Sequence, residues 1–398
     1  MMGLAAVNIV MPMYTLYSAI GLLFGVGAST IISIERGGNH PKGADEAFTL
    51  CMGSMIVSGI ILTIGSLLFL EPLAYALGAS EELLPYVLEY LMPIVSGTLA
   101  FILMYACGIL LRSDHAPKLA MISMLIGNIS NIFLDYFFVV VLGWGLRGAA
   151  IATAFAPLIT LVIASLHFFG QPQLHLCKVH HICVLFRRMI INGAGSGILE
   201  LTSGLIIFLF NAVILAVADA TFLAAYAIVA NIAYVLKGLF AAFGQAAQPI
   251  MSFNHGAQET KRIQEVFQFS MLVTIVAALL LYAGFLFFPR ALAAIFANED
   301  MTVTALAAHG ITLYFLSMPF TGWITILMYY FQSVEYGRLS TLLAVAKGVL
   351  FVVFWLAVLF FLLQETGIWL TIPFAEASAC ILGWFLYRRL RRRGKHEG

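Results

Sequence analysis

Residues 4–48 read LAAVNIVMPMYTLYSAIGLLFGVGASTIISIERGGNHPKGADEAF, and residues 223–267 read LAAYAIVANIAYVLKGLFAAFGQAAQPIMSFNHGAQETKRIQEVF. Aligned without a gap at an offset of 219, the two stretches agree at fourteen of 45 positions. Shared hydrophobicity does not account for this. The matches run past the apolar part to Gly37/Gly256, Lys42/Lys261, Glu46/Glu265 and Phe48/Phe267. Each copy opens with an apolar run exceeding the roughly 20 residues that a helix needs to cross a bilayer. The stretch settles two points together. The chain crosses a membrane as helices, and it is a tandem of homologous halves inserted in the same direction, as in parallel-repeat transporters.

The composition outside this stretch agrees. Of 398 residues, 62% are apolar and 10% charged, against roughly a quarter charged in a soluble domain. Eleven apolar stretches, at 3–34, 49–70, 86–111, 119–142, 149–169, 189–217, 221–252, 266–289, 306–333, 340–363 and 368–387, are long enough for spans. They are continuous runs, unlike the ~10-residue alternating strands of an outer-membrane barrel. The expected fold is all-α, a polytopic membrane helix bundle of two homologous lobes. A second echo pairs Met92-Pro93 with Met318-Pro319. The span at 189–217 precedes the second copy and no counterpart precedes Leu4. Five plus six spans are therefore expected, with the first helix of the first lobe absent. The plan is an N-terminal lobe over 1–169, a cytoplasmic linker over 170–188, a C-terminal lobe over 189–389 and a basic tail over 390–398.

Net charge is +1 and says little, but its distribution orients the chain. Alternating the loops gathers Arg36, Lys42, Arg112, Lys118, Lys178, Arg187, Arg188, Lys261, Arg262, Arg338 and the tail cations on one side. Only Arg147 and Arg290 fall on the other. The positive-inside rule makes the richer side cytoplasmic, with the C-terminus inside. The uncharged first 34 residues lack the basic start of a signal peptide and read as a span. Cys51, Cys107 and Cys380 fall in spans, and Cys177 and Cys183 in a loop assigned to the reducing side, so no disulfide is expected. His175, Cys177, His180, His181 and Cys183 match no zinc spacing and read as a solvated linker, with no metal.

Ionisable residues at membrane depth are costly and usually face a cavity or a pathway. Asp135 lies near the centre of an apolar span, and Asn128, Asn131 and Asp135, spaced i, i+3, i+7, share one helical face. Oxygen ligands of this kind suit a hard cation; the alternative is a hydrogen-bonded packing cluster. Glu200, Lys237, Lys347 and Glu376 are the other ionisable groups in spans. Lys347 and Glu376 fall on neighbouring spans and can pair, while Lys237 either snorkels or lines a cavity. There is no phosphate-cradling Gly-Lys-Ser/Thr loop and no triad, paired-carboxylate or metal-hydrolase pattern. Pumping would be secondary, and an enzyme is a poor fit.

Phe24-Gly25-Val26-Gly27-Ala28-Ser29 with Ser33 and Gly37-Gly38-Asn39 resembles the second-helix motif of the multidrug and toxic compound extrusion (MATE) transporters. Asn128–Asp135 with the run Gly143–Thr153 resembles that family's helix 5, loop and helix 6, and Gln248–Ala257 the motif ending helix 8. The resemblance covers the whole chain and is strongest to the bacterial MepA-like branch. It implies twelve helices in two lobes, one more than this chain supplies. In members with an N-lobe cation site, helix 5 gives an Asn and an Asp and helix 6 a Thr, matching Asn131, Asp135 and Thr153. The family's further carboxylate lies on helix 1. Another branch uses a glutamate at the position of Glu200, but its companion aspartate is absent between Ile311 and Phe331.

The expected function is secondary active efflux of amphipathic or cationic small molecules in exchange for Na+ or H+ by alternating access. Asp135, Asn131 and Thr153 would couple the ion, and Glu200, Asn128 and Lys237 would meet substrate or proton. The 32 Phe, 15 Tyr and 16 Met suit an adaptable cavity. No cofactor, nucleotide or nucleic acid is implied, and the protein is expected to be a monomer in the cell membrane. The rival readings are a lipid-linked precursor flippase of the same superfamily, or a membrane protein inactivated by loss of helix 1.

Overall fold

The computed structural model describes residues 2–170, 172–297 and 300–394. The apolar stretches become helices because the hydrocarbon core offers no water, so every backbone N–H and C=O must pair within its own segment. Eleven spans result among the described residues: α1 (Ala5–Gly37), α2 (Pro41–Leu68), α3 (Leu84–Ser96 and Thr98–Ser113, a bent pair), α4 (Pro117–Val141), α5 (Gly145–Ser165) and α6 (Ile182–Val217), then α7 (Ala220–Gly256), α8 (Thr260–Phe287), α9 (Met301–Ser333), α10 (Gly337–Leu363) and α11 (Glu365–Arg392). Residues 395–398 of the expected basic tail lie outside the described residues.

The chain divides into two compact units, Met1–Leu201 and Thr202–Gly398, and the division falls inside α6. The linker expected over 170–188 is shorter than its polar residues suggested, because α6 begins at Ile182. The run Ile182–Phe186 is apolar and helical, and Arg188 in its first turns is held by Glu35 of α1 at 2.6 Å.

Each unit has its own core. In the first, Tyr17, Ile31, Ile32, Met55 and Leu91 are fully buried in one cluster. In the second the cluster is more aromatic, with Trp369 stacked on Phe222 at 4.8 Å and Phe210 on Tyr226 at 5.1 Å. The packing repeats as the sequence does. α1 packs on α2 and on the second half of α3, as α7 packs on α8 and α9, and α4 pairs with α5 as α10 does with α11.

The sequence echoes are structural ones. Helices α1 and α7 end in turns with positive φ at Asn39 (63°) and Gln258 (60°), and α3 and α9 in turns at His115 (59°) and Glu335 (60°). Pro93 lies four residues before Gly97, where α3 bends by 52°, as expected where proline removes a helix donor. Its counterpart Pro319 follows a 3-10 turn at Phe315–Ser317 that interrupts α9. Short helices at Leu70–Ala76 and Pro289–Ala294 occupy matching connections in the two units.

Candidate functional site

The helix pair α4–α5 carries Asn128, Asn131, Asp135 and Thr153. The two helices approach closely at two levels. A Cβ on Gly127 would lie 1.9 Å from Thr160 Oγ1, and one on Gly148 would lie 3.0 Å from Phe138. Small residues at such contacts let membrane helices close together. Between these levels the antiparallel register sets Thr153 of α5 opposite the turn that runs from Asn131 to Asp135. The structure thus places Asn131, Asp135 and Thr153 at one level of one helix pair.

The three residues differ in surroundings. Asp135 is half-buried and is the last α-helical residue before a π-helical segment, Tyr136–Val141. Segments of that kind loosen the helical ladder and occur frequently at functional sites. Asn131 is also half-buried, and its Nδ2 is enclosed with no hydrogen-bond partner among the described residues. Turning that amide over would present Oδ1 instead, an oxygen suited to a cation. Thr153 donates to Ala149 O at 2.9 Å, which leaves its oxygen able to accept. Asn128 is exposed on the outer surface of α4 and stands apart from the other three.

Glu200, near the middle of α6, accepts from Ser18 Oγ of α1 at 3.0 Å. Lys237 of α7 donates to Ser203 Oγ of α6. Lys347 and Glu376, predicted to pair, do so at 2.7 Å between α10 and α11.

A polar cluster at the ends of the first unit's helices escaped the sequence reading. Asp114, 5% exposed, binds Arg36 Nη2 at 2.6 Å, His167 Nε2 at 2.6 Å and the Gln173 amide at 3.2 Å. Arg36 also donates to the Ser113 carbonyl at 2.7 Å. One carboxylate thus gathers the ends of α1, α3 and α5 and the start of the linker. The only hint was an acid next to Arg112 in a loop of mostly basic residues. The linker is solvated as expected, with His175, Cys177, His180, His181 and Cys183 all exposed, and its backbone also docks along α2. The amides of His175, Cys177 and His180 donate to Asp45, Thr49 and Glu46 at 2.9, 3.0 and 3.2 Å.

The sequence profile of the family described as MatE matches residues 2–137 and 195–361. The chain belongs to the MatE family. Among curated relatives, the multidrug export protein MepA of Staphylococcus haemolyticus is 25% identical over 406 residues, 98% of this chain and 86% of that protein. The FAD transporter of Shewanella oneidensis is 26% identical over 322 residues, 78% of this chain and 70% of its own. An outward-facing structure of a multidrug resistance MATE family transporter superposes with a TM-score of 0.92 at 21% identity, covering 99% of this chain and 89% of that one. A MOP superfamily transporter from Pyrococcus furiosus, described as having a binding pocket of reverse polarity, gives 0.90 at 20% identity, covering 98% and 87%. This MatE protein is therefore a multi-pass membrane protein of MepA-like type, and the relatives named here are transporters, not enzymes.

Proposed function

We propose that this MatE protein exports amphipathic, often cationic, small molecules in exchange for Na+ or H+, with Asp135, Asn131 and Thr153 as the coupling site. The observation that carries the coupling site is the placement of Asp135. A carboxylate at membrane depth stands at a π break, one turn from Asn131, whose enclosed Nδ2 has no partner among the described residues, on a helix packed against that of Thr153. The names of the MepA relatives support drug export as the activity. Glu200 and Lys237 are proposed as contacts for substrate or proton, and Asn128, exposed on α4, as an outer polar position of the same helix. The basic loops and the C-terminus are proposed to face the cytoplasm, and the protein to act as a monomer with no cofactor beyond its coupling ion.

A ligand shifts a two-state carrier only through its differential affinity for the two states. Asp135→Asn keeps size and most hydrogen bonding while removing the charge. Gradient-driven dye efflux from proteoliposomes should fall by about tenfold or more, while equilibrium dye binding changes little. Driven efflux at the wild-type level in Asp135→Asn would defeat the assignment and pass the role to Glu200. The Shewanella FAD transporter favours a second reading of the cargo, an anionic nucleotide-bearing cofactor. Counterflow of FAD without export of cationic dye would establish that reading instead.

A further inference from the structure

The second unit contains an ion pair that the coupling site does not use. Lys347 Nζ donates to both carboxylate oxygens of Glu376, at 2.7 and 2.8 Å, and both residues are 8% exposed. Packing alone gives a poor account of this pair. The attraction between two buried charges often fails to offset the loss of their hydration, and apolar residues of equal volume commonly serve as well. Ionisable groups inside membrane spans tend to be functional.

The local backbone supports a functional role. Lys347 lies within a π-helical segment, Ala346–Leu350. Its span, α10, is the repeat counterpart of α4, whose own π segment follows Asp135. Among the described residues, each half of the chain therefore carries one π-distorted span with an ionisable residue at the distortion. The distortion is also tightly engaged, since a Cβ on Gly348 would lie 2.4 Å from Thr202 Oγ1 of α6. Displacement of this segment must move α6 or break that contact.

We propose that Glu376 is an exchangeable proton site for which Lys347 is the tethered competitor. A proton from solvent adds to a Glu376 carboxylate oxygen. The two contacts from Lys347 are lost, and the ammonium, keeping its own protons, leaves the carboxyl. Loss of the proton restores the carboxylate and the pair. Tyr314 of α9 and Cys380, one turn along α11, are titratable neighbours of Glu376. Release of Lys347 frees the π segment to shift, and the contact of Gly348 with Thr202 carries the shift to α6. The inference rests on the reading of the chain as a gradient-driven transporter, but it does not require Asp135 to be the coupling site.

The test uses the full chain. Infrared difference spectra between alkaline and acidic buffer should show a protonated-carboxyl band that disappears in Glu376→Gln and persists in Asp135→Asn. In proteoliposomes, proton-driven efflux in Glu376→Gln should fall about tenfold or more. Lys347→Met/Glu376→Leu, which keeps the site filled and apolar, should fold and show the same loss. This double variant decides the transport question if Glu376→Gln does not fold. Wild-type driven efflux in the double variant would reduce the pair to packing and overturn the proposal. A carboxyl band unchanged by Glu376→Gln, or a sodium-dependent carboxylate shift without protonation, would overturn the proton assignment. Normal efflux in Asp135→Asn with the Glu376 band intact would defeat the Asp135 reading alone.

Discussion

Asp114 and Asp135 are both acids of the first unit, and only one could be recognised from the chain. Asp135 stood out because no other charged residue lies in its apolar stretch, 119–142, and a charge there needs a reason. Asp114 sits in Leu111-Arg112-Ser113-Asp114-His115, where an acid needs none. Its partners Arg36 and His167 are 78 and 53 residues distant along the chain, so no local pattern could announce them. The same holds for Ser18 opposite Glu200, 182 residues away. Yet Asp114 is the more deeply committed carboxylate, holding three elements and the linker. Its removal leaves Arg36 partly buried without its carboxylate, and losing one partner of a buried pair typically costs ~3–5 kcal/mol. Asp114→Ala should therefore lower the thermal unfolding midpoint of the purified protein in detergent by a clear margin. Asp114→Asn, which can still accept hydrogen bonds, should lower it less. Equal and negligible shifts in both variants would show that the cluster contributes no net stability.

At the scale of the helix, the repeat made the spans and their pairing readable, but not their distortions. The Met-Pro echo, read only as a mark of the repeat, coincides with the breaks in α3 and α9, since proline leaves a signal in the sequence. The π segments at Tyr136–Val141 and Ala346–Leu350 leave none, since an apolar run reads the same with either hydrogen-bond register. The crossing of α1 and α6 was not read from the sequence, although glycines stand in both Gly25-Val26-Gly27 and Asn192-Gly193-Ala194-Gly195. In the structure a Cβ on Gly27 would lie 2.1 Å from the Met189 carbonyl, and one on Gly193 would lie 1.7 Å from the Leu23 carbonyl. Backbone meets backbone there, so no side-chain rearrangement can relieve an added methyl. Gly193→Ala should cost ~1–3 kcal/mol through overpacking. Gly65→Ala on α2, where nothing lies within 4 Å of the new Cβ, should stabilise its helix by roughly 0.5–1 kcal/mol. Thermal denaturation of the two variants checks the pair, and the opposite order would remove the α1–α6 crossing from the stability account.

For the whole molecule, the number of spans and the tandem plan followed from composition and the repeat, because lipid forces each apolar run to satisfy its own backbone. The division of the chain did not follow. Polar residues placed a boundary near 170–188, whereas the compact units divide inside a continuous helix at Leu201/Thr202, a place that hydropathy cannot mark. Which side of the membrane each loop occupies is a further question, and the native cysteines are placed to answer it. The turns after α1 and α7, and those after α3 and α9, are repeat counterparts with positive φ at Asn39, Gln258, His115 and Glu335. They lie beside Lys42, Lys261, Lys118 and Arg338, where insertion machinery reads positive charge. The linker after α5 falls on the same side by alternation, with Cys177 and Cys183 exposed. Cys51 is buried, and Cys107 and Cys380 are partly shielded in spans. A membrane-impermeant maleimide should therefore leave the native protein unlabelled in intact cells and label it once the membrane is permeabilised. Cys177→Ser/Cys183→Ser should abolish that labelling. In this background Ser80→Cys, in the exposed connection between α2 and α3, should be labelled in intact cells, because one span separates it from the basic side. Labelling of Cys177 in intact cells, with Ser80→Cys protected, would invert the molecule and place its sixteen loop and tail cations outside.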